Sequence, residues 1–268
     1  MPGAPSPLAL GIAATALAVA FVGLHRRQVR TRNATSVDAA WAIAIGLCGA
    51  WFALVAEGAT AQRTLAAAMA VAWSSRLSIH LLRDRVMRCD AEDGRYAAMR
   101  AHWGASANRR FFWFYLAQAG AALVFALPFA WVAATPHAVL ASQWCGAALA
   151  VAATCAEAAA DGQLAAHRAD PSQRGRTCRR GLWRWSRHPN YFFEWLTWCG
   201  VAVVAHPFAG WWAALHPAVM FVLVRFVSGV PFAERQALKS RGEDYRRYQR
   251  ETNTFVPWLQ RRAVDSVR

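Results

Sequence analysis

The sequence predicts an all-α membrane protein, a bundle of seven transmembrane helices. Three observations predict it. Of 268 residues, 56% are hydrophobic and only 17% charged, whereas a soluble domain carries about 45–50% and about 25%. The apolar residues form long uncharged blocks, and the basic residues gather between alternate pairs of those blocks. Such a chain has ample surface to bury, which excludes intrinsic disorder. Its length and scattered cysteines exclude a disulfide-stapled miniprotein.

The blocks run in order along the chain. Residues 8–24 form the first, with no basic residue before it and Arg26, Arg27, Arg30 and Arg32 after it. That order is expected of a retained anchor rather than a cleaved signal. Residues 39–56, 64–82, 111–134 and 138–156 supply four more, each within the roughly 17–25 residues that span a hydrocarbon core. The third contains Arg76 and His80. From Trp195 to Val224 the chain is again uncharged, but one straight helix of that length would be about 45 Å long, too long for a ~30 Å core. His206-Pro207 lies inside it, and proline interrupts a helix. Two crossings, near 190–205 and 208–224, are therefore expected.

Charge tests this count independently. Residues 25–36 hold four arginines, 83–110 seven, 161–190 seven, and 225–268 ten Lys plus Arg, while the alternate loops hold Arg63 alone. Seven crossings put every basic loop on one side, cytoplasmic by the positive-inside bias, with the N-terminus outside and the tail inside. The net charge of +15 then reflects orientation and attraction to anionic lipid headgroups, not nucleic-acid binding. Cys48, Cys89, Cys145, Cys155, Cys178 and Cys199 form no CxxC pair, and the histidines show no HxxxH or HExxH spacing, so no metal site is expected. Neither GxGxxG nor GxxxxGK[ST] occurs, which excludes the two common phosphate-binding loops. The chain reads as a single membrane domain in three parts: 1–36, 37–160 and 161–268.

Polar groups inside or at the edge of a membrane mark function. The densest string is Gly181-Leu182-Trp183-Arg184-Trp185-Ser186-Arg187-His188-Pro189-Asn190-Tyr191-Phe192-Phe193-Glu194. Pro189 suits a first helical turn, whose free N–H groups favour an anion. Glu194 falls four residues past Asn190, on the same face. Asp161-Gly162-Gln163-Leu164 precedes Arg168, Arg174, Arg176, Arg179 and Arg180. An arginine-rich loop bounded by carboxylates suits a phosphorylated ligand. In the tail, Tyr245 and Tyr248 share a helix face. Glu57 stands beside Gly58 at the outer end of the second helix, where a solvated helix end is the plainer reading.

Together, GLWRWSRHPNYFFE, the preceding DGQL, and the later SGVPFAE and GEDYRRYQRETNTFVP resemble the steroid 5-alpha-reductase-like family of integral membrane proteins, in its uncharacterised bacterial branch. The likeness is clearest over residues 150–258 and extends weakly back to about residue 37. It implies NADPH held in the cytoplasmic half of a seven-helix bundle without a Rossmann fold, by Asp161, Arg168, Arg176, Asn190 and Glu194, with Tyr245 or Tyr248 from the tail. Arg180, Arg187 and His188 join them as candidate cofactor contacts. It also implies an apolar substrate entering from the bilayer, and a place in a bacterial inner membrane. The expected reaction is hydride transfer to an activated C=C bond of a steroid-like or other lipid, with Glu57 and His80 as candidate activating acids. Where the steroid enzymes carry a tyrosine, this chain has Trp73. A shorter RHPxY-x-E string and a similar tail occur in isoprenylcysteine and phospholipid methyltransferases, so an S-adenosylmethionine-dependent methyltransferase is an alternative. A non-enzymic lipid-binding protein is another.

Overall fold

A computed structural model describes residues 5–87 and 91–260. Cys89, Arg88 and the last basic residues of the tail lie outside the described residues. Every regular element among the described residues is helical. The chain divides into two compact units. One runs up to Ala141 and takes in Pro207–Gly210; the other holds Ser142–His206 and the chain from Trp211 onward.

The first unit contains α1 (Pro7–Thr31), α2 (Val37–Val55), α3 (Thr60–Leu81), a short α4 (Gly94–Trp103) and α5 (Ala107–Ala133). Alanine-rich faces let α2 pack along α3, and α5 packs against α1, α2 and α3. A polar side chain is tolerated between them because it is satisfied: Ser74 Oγ donates to Ala42 O at 2.7 Å. The two basic loops meet at one end of this unit. Arg85 Nη1 reaches Asp38 Oδ2 at 3.1 Å, Asp93 N donates to Thr35 Oγ1 at 2.8 Å, and Arg100 joins Glu92 at 2.8 Å and Gln28 Oε1 at 3.0 Å. At the other end Arg63 caps α2, donating to Ala53 O at 2.8 Å and Leu54 O at 3.0 Å. The grouping of basic loops that the charge pattern predicts is thus present within this unit.

The second unit contains α6 (Ala141–Ala169), most of α7 (Pro189–Ala209), α8 (Leu215–Val222) with a π-helical turn at Leu223–Val227, α9 (Val230–Arg241) and α10 (Glu243–Glu251). Helices α6 and α7 run antiparallel, as their cross-links show. Gln143 Nε2 donates to Val204 O at 3.1 Å, Thr154 and Thr197 hydroxyls lie 3.3 Å apart, and Asn190 Nδ2 donates to Asp161 Oδ1 at 3.0 Å. Gly146 and Gly200 let the backbones touch: a Cβ on Gly200 would stand 2.7 Å from Gly146 O.

Two expectations are corrected. The break near His206-Pro207 lies further on, because α7 continues through Pro207 to Ala209 and the chain turns at Gly210–Ala214. Helix α6 runs well past residue 156 to Ala169. Its charges did not end it because Glu157 and Asp161, one turn apart, are both buried.

Five stretches are long and apolar enough to cross a membrane: Pro7–Thr31, Val37–Val55, Thr60–Val86, Gly94–Ala133 and Pro189–Arg241. The last contains both α7 and α8, and α6 is not among the five. Large apolar side chains such as Leu8, Val19, Leu54, Trp113, Trp144, Trp211 and Trp212 point outward, as lipid-facing residues do. The chain is an integral membrane protein. Replacing Gly200 by valine should force α6 and α7 apart and cost about 1–3 kcal/mol, read as a lowered melting temperature in detergent.

Candidate functional site

The site residues of the second unit are assembled by one turn and one buried cation. The segment after α6 returns through Gly181, whose φ is +56° and over which the Gln163 side chain lies in contact. Gln163 Oε1 accepts from Leu182 N at 2.9 Å, and Trp183 Nε1 donates to Ala160 O at 2.8 Å. The Gly-Leu-Trp turn is thereby fixed to the end of α6. A β-carbon at residue 181 would meet the Gln163 amide and strain the backbone as well.

Arg187 then ties the start of α7 to the tail. Its Nε donates to Glu234 Oε1 at 2.7 Å. Nη1 donates to Thr252 O at 2.7 Å and Gln249 O at 3.0 Å, and Nη2 to Thr254 Oγ1 at 2.8 Å. Its own N–H donates to Asn253 O at 2.9 Å. Glu234 also accepts from Gln249 Nε2 at 3.0 Å and from the Tyr245 hydroxyl at 3.5 Å, and lies 3.4 Å from His188 Nε2. His188 is buried and stacks on Tyr191 with ring centroids 5.6 Å apart. Burial holds its pKa below the ordinary histidine value despite Glu234. The Tyr248 hydroxyl donates to Trp183 O and, at 3.1 Å, to Ser186 O. Burial raises the pKa of both Tyr245 and Tyr248, so both phenols stay protonated.

One face of α6 and α7 brings the membrane-side candidates together. Asp161, Glu157 and Glu194 are buried. Asn190 joins Asp161, and Glu194 Oε1 accepts from Trp198 Nε1 at 3.0 Å. The side-chain oxygen Oδ1 of Asn190 is buried and has no hydrogen-bond partner. Arg168, Arg176 and Arg180 are exposed around the preceding loop.

A family model described as "Protein of unknown function (DUF1295)" matches residues 24–252. The chain belongs to the DUF1295 family. No curated protein and no solved structure matches it. The match takes in every candidate residue of this DUF1295 protein, from Glu57 to Tyr248.

The two candidate acids are in the first unit, and they are not together. Glu57 is exposed on the turn before α3, and His80 is half-buried in its last turn. Some 20 helical residues separate them, about 30 Å, so the two do not serve one carbonyl. Trp73 is buried, edge-on to Trp41 with centroids 6.0 Å apart, and packs the core of its unit.

Sequence reading missed Glu234, Gln249 and Asp244. Asp244 accepts from Thr177 N at 2.8 Å and pairs with Arg179 at 3.1 Å. The available signal was Glu234 in the SGVPFAE string, an acidic residue soon after an apolar block.

Two outcomes are expected. Tyr248→Phe removes both bonds to the Trp183–Ser186 turn and should cost about 1–3 kcal/mol, seen as faster proteolysis after residues 174–180. Below about pH 6.5 an unfolded chain binds a proton at His188, while the folded chain binds it only at lower pH. This contribution to stability is complete above that pH and is lost as pH falls, by up to about 1.4 kcal/mol per pH unit. His188→Gln should flatten the decline of melting temperature between pH 7.5 and 5.5.

Proposed function

We propose that this chain is an NADPH-dependent membrane reductase of the steroid 5-alpha-reductase-like type, reducing an activated C=C bond of an apolar lipid. The observation that carries the reading is the Asn190 side-chain oxygen Oδ1, buried without a partner beside Asp161 and one turn from Glu194. An unmet buried acceptor costs stability, and an amide N–H of a ligand would satisfy it. A nicotinamide carboxamide has such a donor, and the arginines of residues 168–180 offer forks for its phosphates. In this reading Asp161, Arg168, Arg176 and Arg180 hold the nucleotide, and Asn190 and Glu194 orient the carboxamide. Arg187, His188, Tyr245 and Tyr248 act indirectly, by holding the turn that carries Trp183 and Ser186. When bound, NADPH supplies the hydride. The chain supplies position, a water-poor cavity, and an acid at the substrate carbonyl.

The same proposal takes α6, α7 and α8 as separate crossings, making seven, with the N-terminus outside and α9–α10 cytoplasmic in an inner membrane. It has the substrate enter sideways from lipid.

The Arg187–Glu234 hub favours a second reading. It is built from the RHPNY string and the acidic-aromatic tail, which a lipid or prenyl-cysteine methyltransferase would share. Purified protein should be stabilised against heat by NADPH more than by NADH or S-adenosylmethionine. Asp161→Ala should weaken NADPH binding at least tenfold, a loss of about 1.4 kcal/mol or more, measured by titration calorimetry. Protection by S-adenosylmethionine alone would transfer the proposal to the methyltransferase. Protection by none of the three would leave a non-enzymic lipid-binding protein.

A further inference from the structure

The segment after α10 turns back to the start of α7. Arg187 holds the Thr252 carbonyl and the Thr254 hydroxyl. Ser186 Oγ donates to Phe255 O at 2.7 Å, and Trp258 N donates to Trp185 O at 3.0 Å. Phe255 is buried against Phe192 and Trp195 of α7 and Phe221 of α8, with ring centroids 5.8, 6.0 and 5.4 Å away. Trp195 stands six residues past Pro189, about 9 Å along the helix. The tail is thereby fixed at the level of the first two turns of α7.

Beyond Phe255 the apolar side chains are not buried. Trp258 is 68% exposed and Leu259 67%, and Val256 and Trp185 are exposed beside them. Trp185, Pro257, Trp258 and Leu259 line an open notch of about 290 Å³. Arg184 is exposed next to it, 5.4 Å from the centroid of the Trp185 ring, and Arg261 and Arg262 follow in the sequence. A contiguous apolar patch of this kind calls for a cover.

The level of the notch says what covers it. Helix α7 has 21 residues, about 31 Å, the thickness of a hydrocarbon core. Its far end is followed by Trp211 and Trp212, both exposed, with Trp211 edge-on to His206. Exposed tryptophans thus bracket one helix of bilayer length, as the two aromatic belts of a membrane protein do. A protein partner would suit a notch at any level. One at the end of a spanning helix, with cations beside it, suits phospholipid.

We propose that Trp185, Pro257, Trp258 and Leu259 dock an anionic phospholipid of the leaflet at the start of α7. The upper acyl chain lies on the tryptophans, and the charged headgroup meets Arg184. The lipid then holds, from outside, the same stretch of tail whose Thr252 and Thr254 satisfy Arg187. The inference rests on α7 crossing the bilayer, as in the reading above, and on neither enzymic activity.

The test uses single copies of the full-length protein in phosphatidylcholine nanodiscs. Traces of phosphatidylglycerol or phosphatidylcholine carrying a diazirine high on one acyl chain serve as probes, and labelled residues are found by mass spectrometry. Labelling at Trp258 and Leu259, relative to Trp211 and Trp212, should be about fivefold higher with the glycerol probe, the effect of roughly one arginine near an anionic headgroup. Arg184→Gln should remove that excess and Arg184→Lys keep most of it, with both variants melting within a few degrees of wild type. Label at Trp211 and Trp212 but none at Trp258 or Leu259 overturns the docking and leaves α7 as a crossing. Label at neither end removes the crossing, and the docking with it. Equal labelling by the two probes, or an excess that survives Arg184→Gln, overturns the anionic headgroup. Labelling that vanishes when two copies share a disc gives the notch to a second copy and overturns the proposal.

Discussion

Arg187 is buried where α7 begins, and its guanidinium is held by protein alone. Removing such a cation from water is expensive, and a single carboxylate rarely offsets it. Here Glu234 supplies the charge, and the carbonyls of Gln249 and Thr252 and the Thr254 hydroxyl fill the remaining directions. The consequence is structural: every acceptor comes from α9, from the last turns of α10 or from the segment that follows it. Unless the tail folds back onto the start of α7, the arginine is an unpaired buried charge. The position of Tyr248, and through it of the Trp183–Ser186 turn, follows from that requirement. Lowering the charge on Glu234, or moving it, would therefore disturb residues that it does not touch.

The first unit solves a related problem at its basic end with Asp38. Arg85 and Arg95 pair with it, and the Tyr96 hydroxyl donates to it. These groups come from the first turn of α2, the turn after α3 and the start of α4, so one carboxylate joins three segments. Both units therefore use a single acidic residue to gather basic segments that would otherwise repel. This explains how a chain with net charge +15 concentrates its arginines at one end of each set of helices. Opposite charge is scarce, so Asp38, Asp93, Glu92, Glu234 and Asp244 are each engaged more than once.

The fold was legible to the extent that it follows from apolar run length and the spacing of charge. Those signals are local, and α1, α2, α3 and α5 lie where the runs are. They failed where a polar residue is buried instead of solvated. Glu157 and Asp161 looked like the end of the fifth apolar block, yet they continue α6 on its inner face. Pro207 looked like the break, yet near the end of α7 few following turns depend on it. At the site, Asp161, Asn190 and Glu194 were legible because they fall on helical faces at spacings of three or four. Glu234 and Asp244 were not, because their partners lie 47 and 65 or more residues away, and nothing periodic connects them.

The two candidate acids can be separated by the geometry of the first unit alone. His80 is in the last turn of α3, beside the π-helical turn that carries Arg83 and Arg85. Arg85 reaches Asp38, so this end of α3 is the basic end. Glu57 is at the opposite end, next to the turn where Ala59 N donates to Thr135 O at 2.8 Å, and it is exposed. A single carbonyl is reached by groups within a few ångströms of it, and the two ends of α3 are about a helix length, 30 Å, apart. Trp73, two turns before His80 and packed against Trp41, offers an indole ring where the steroid enzymes have a phenol. His80 and Glu57 therefore belong to different ends of the first unit, and no single group is polarised by both.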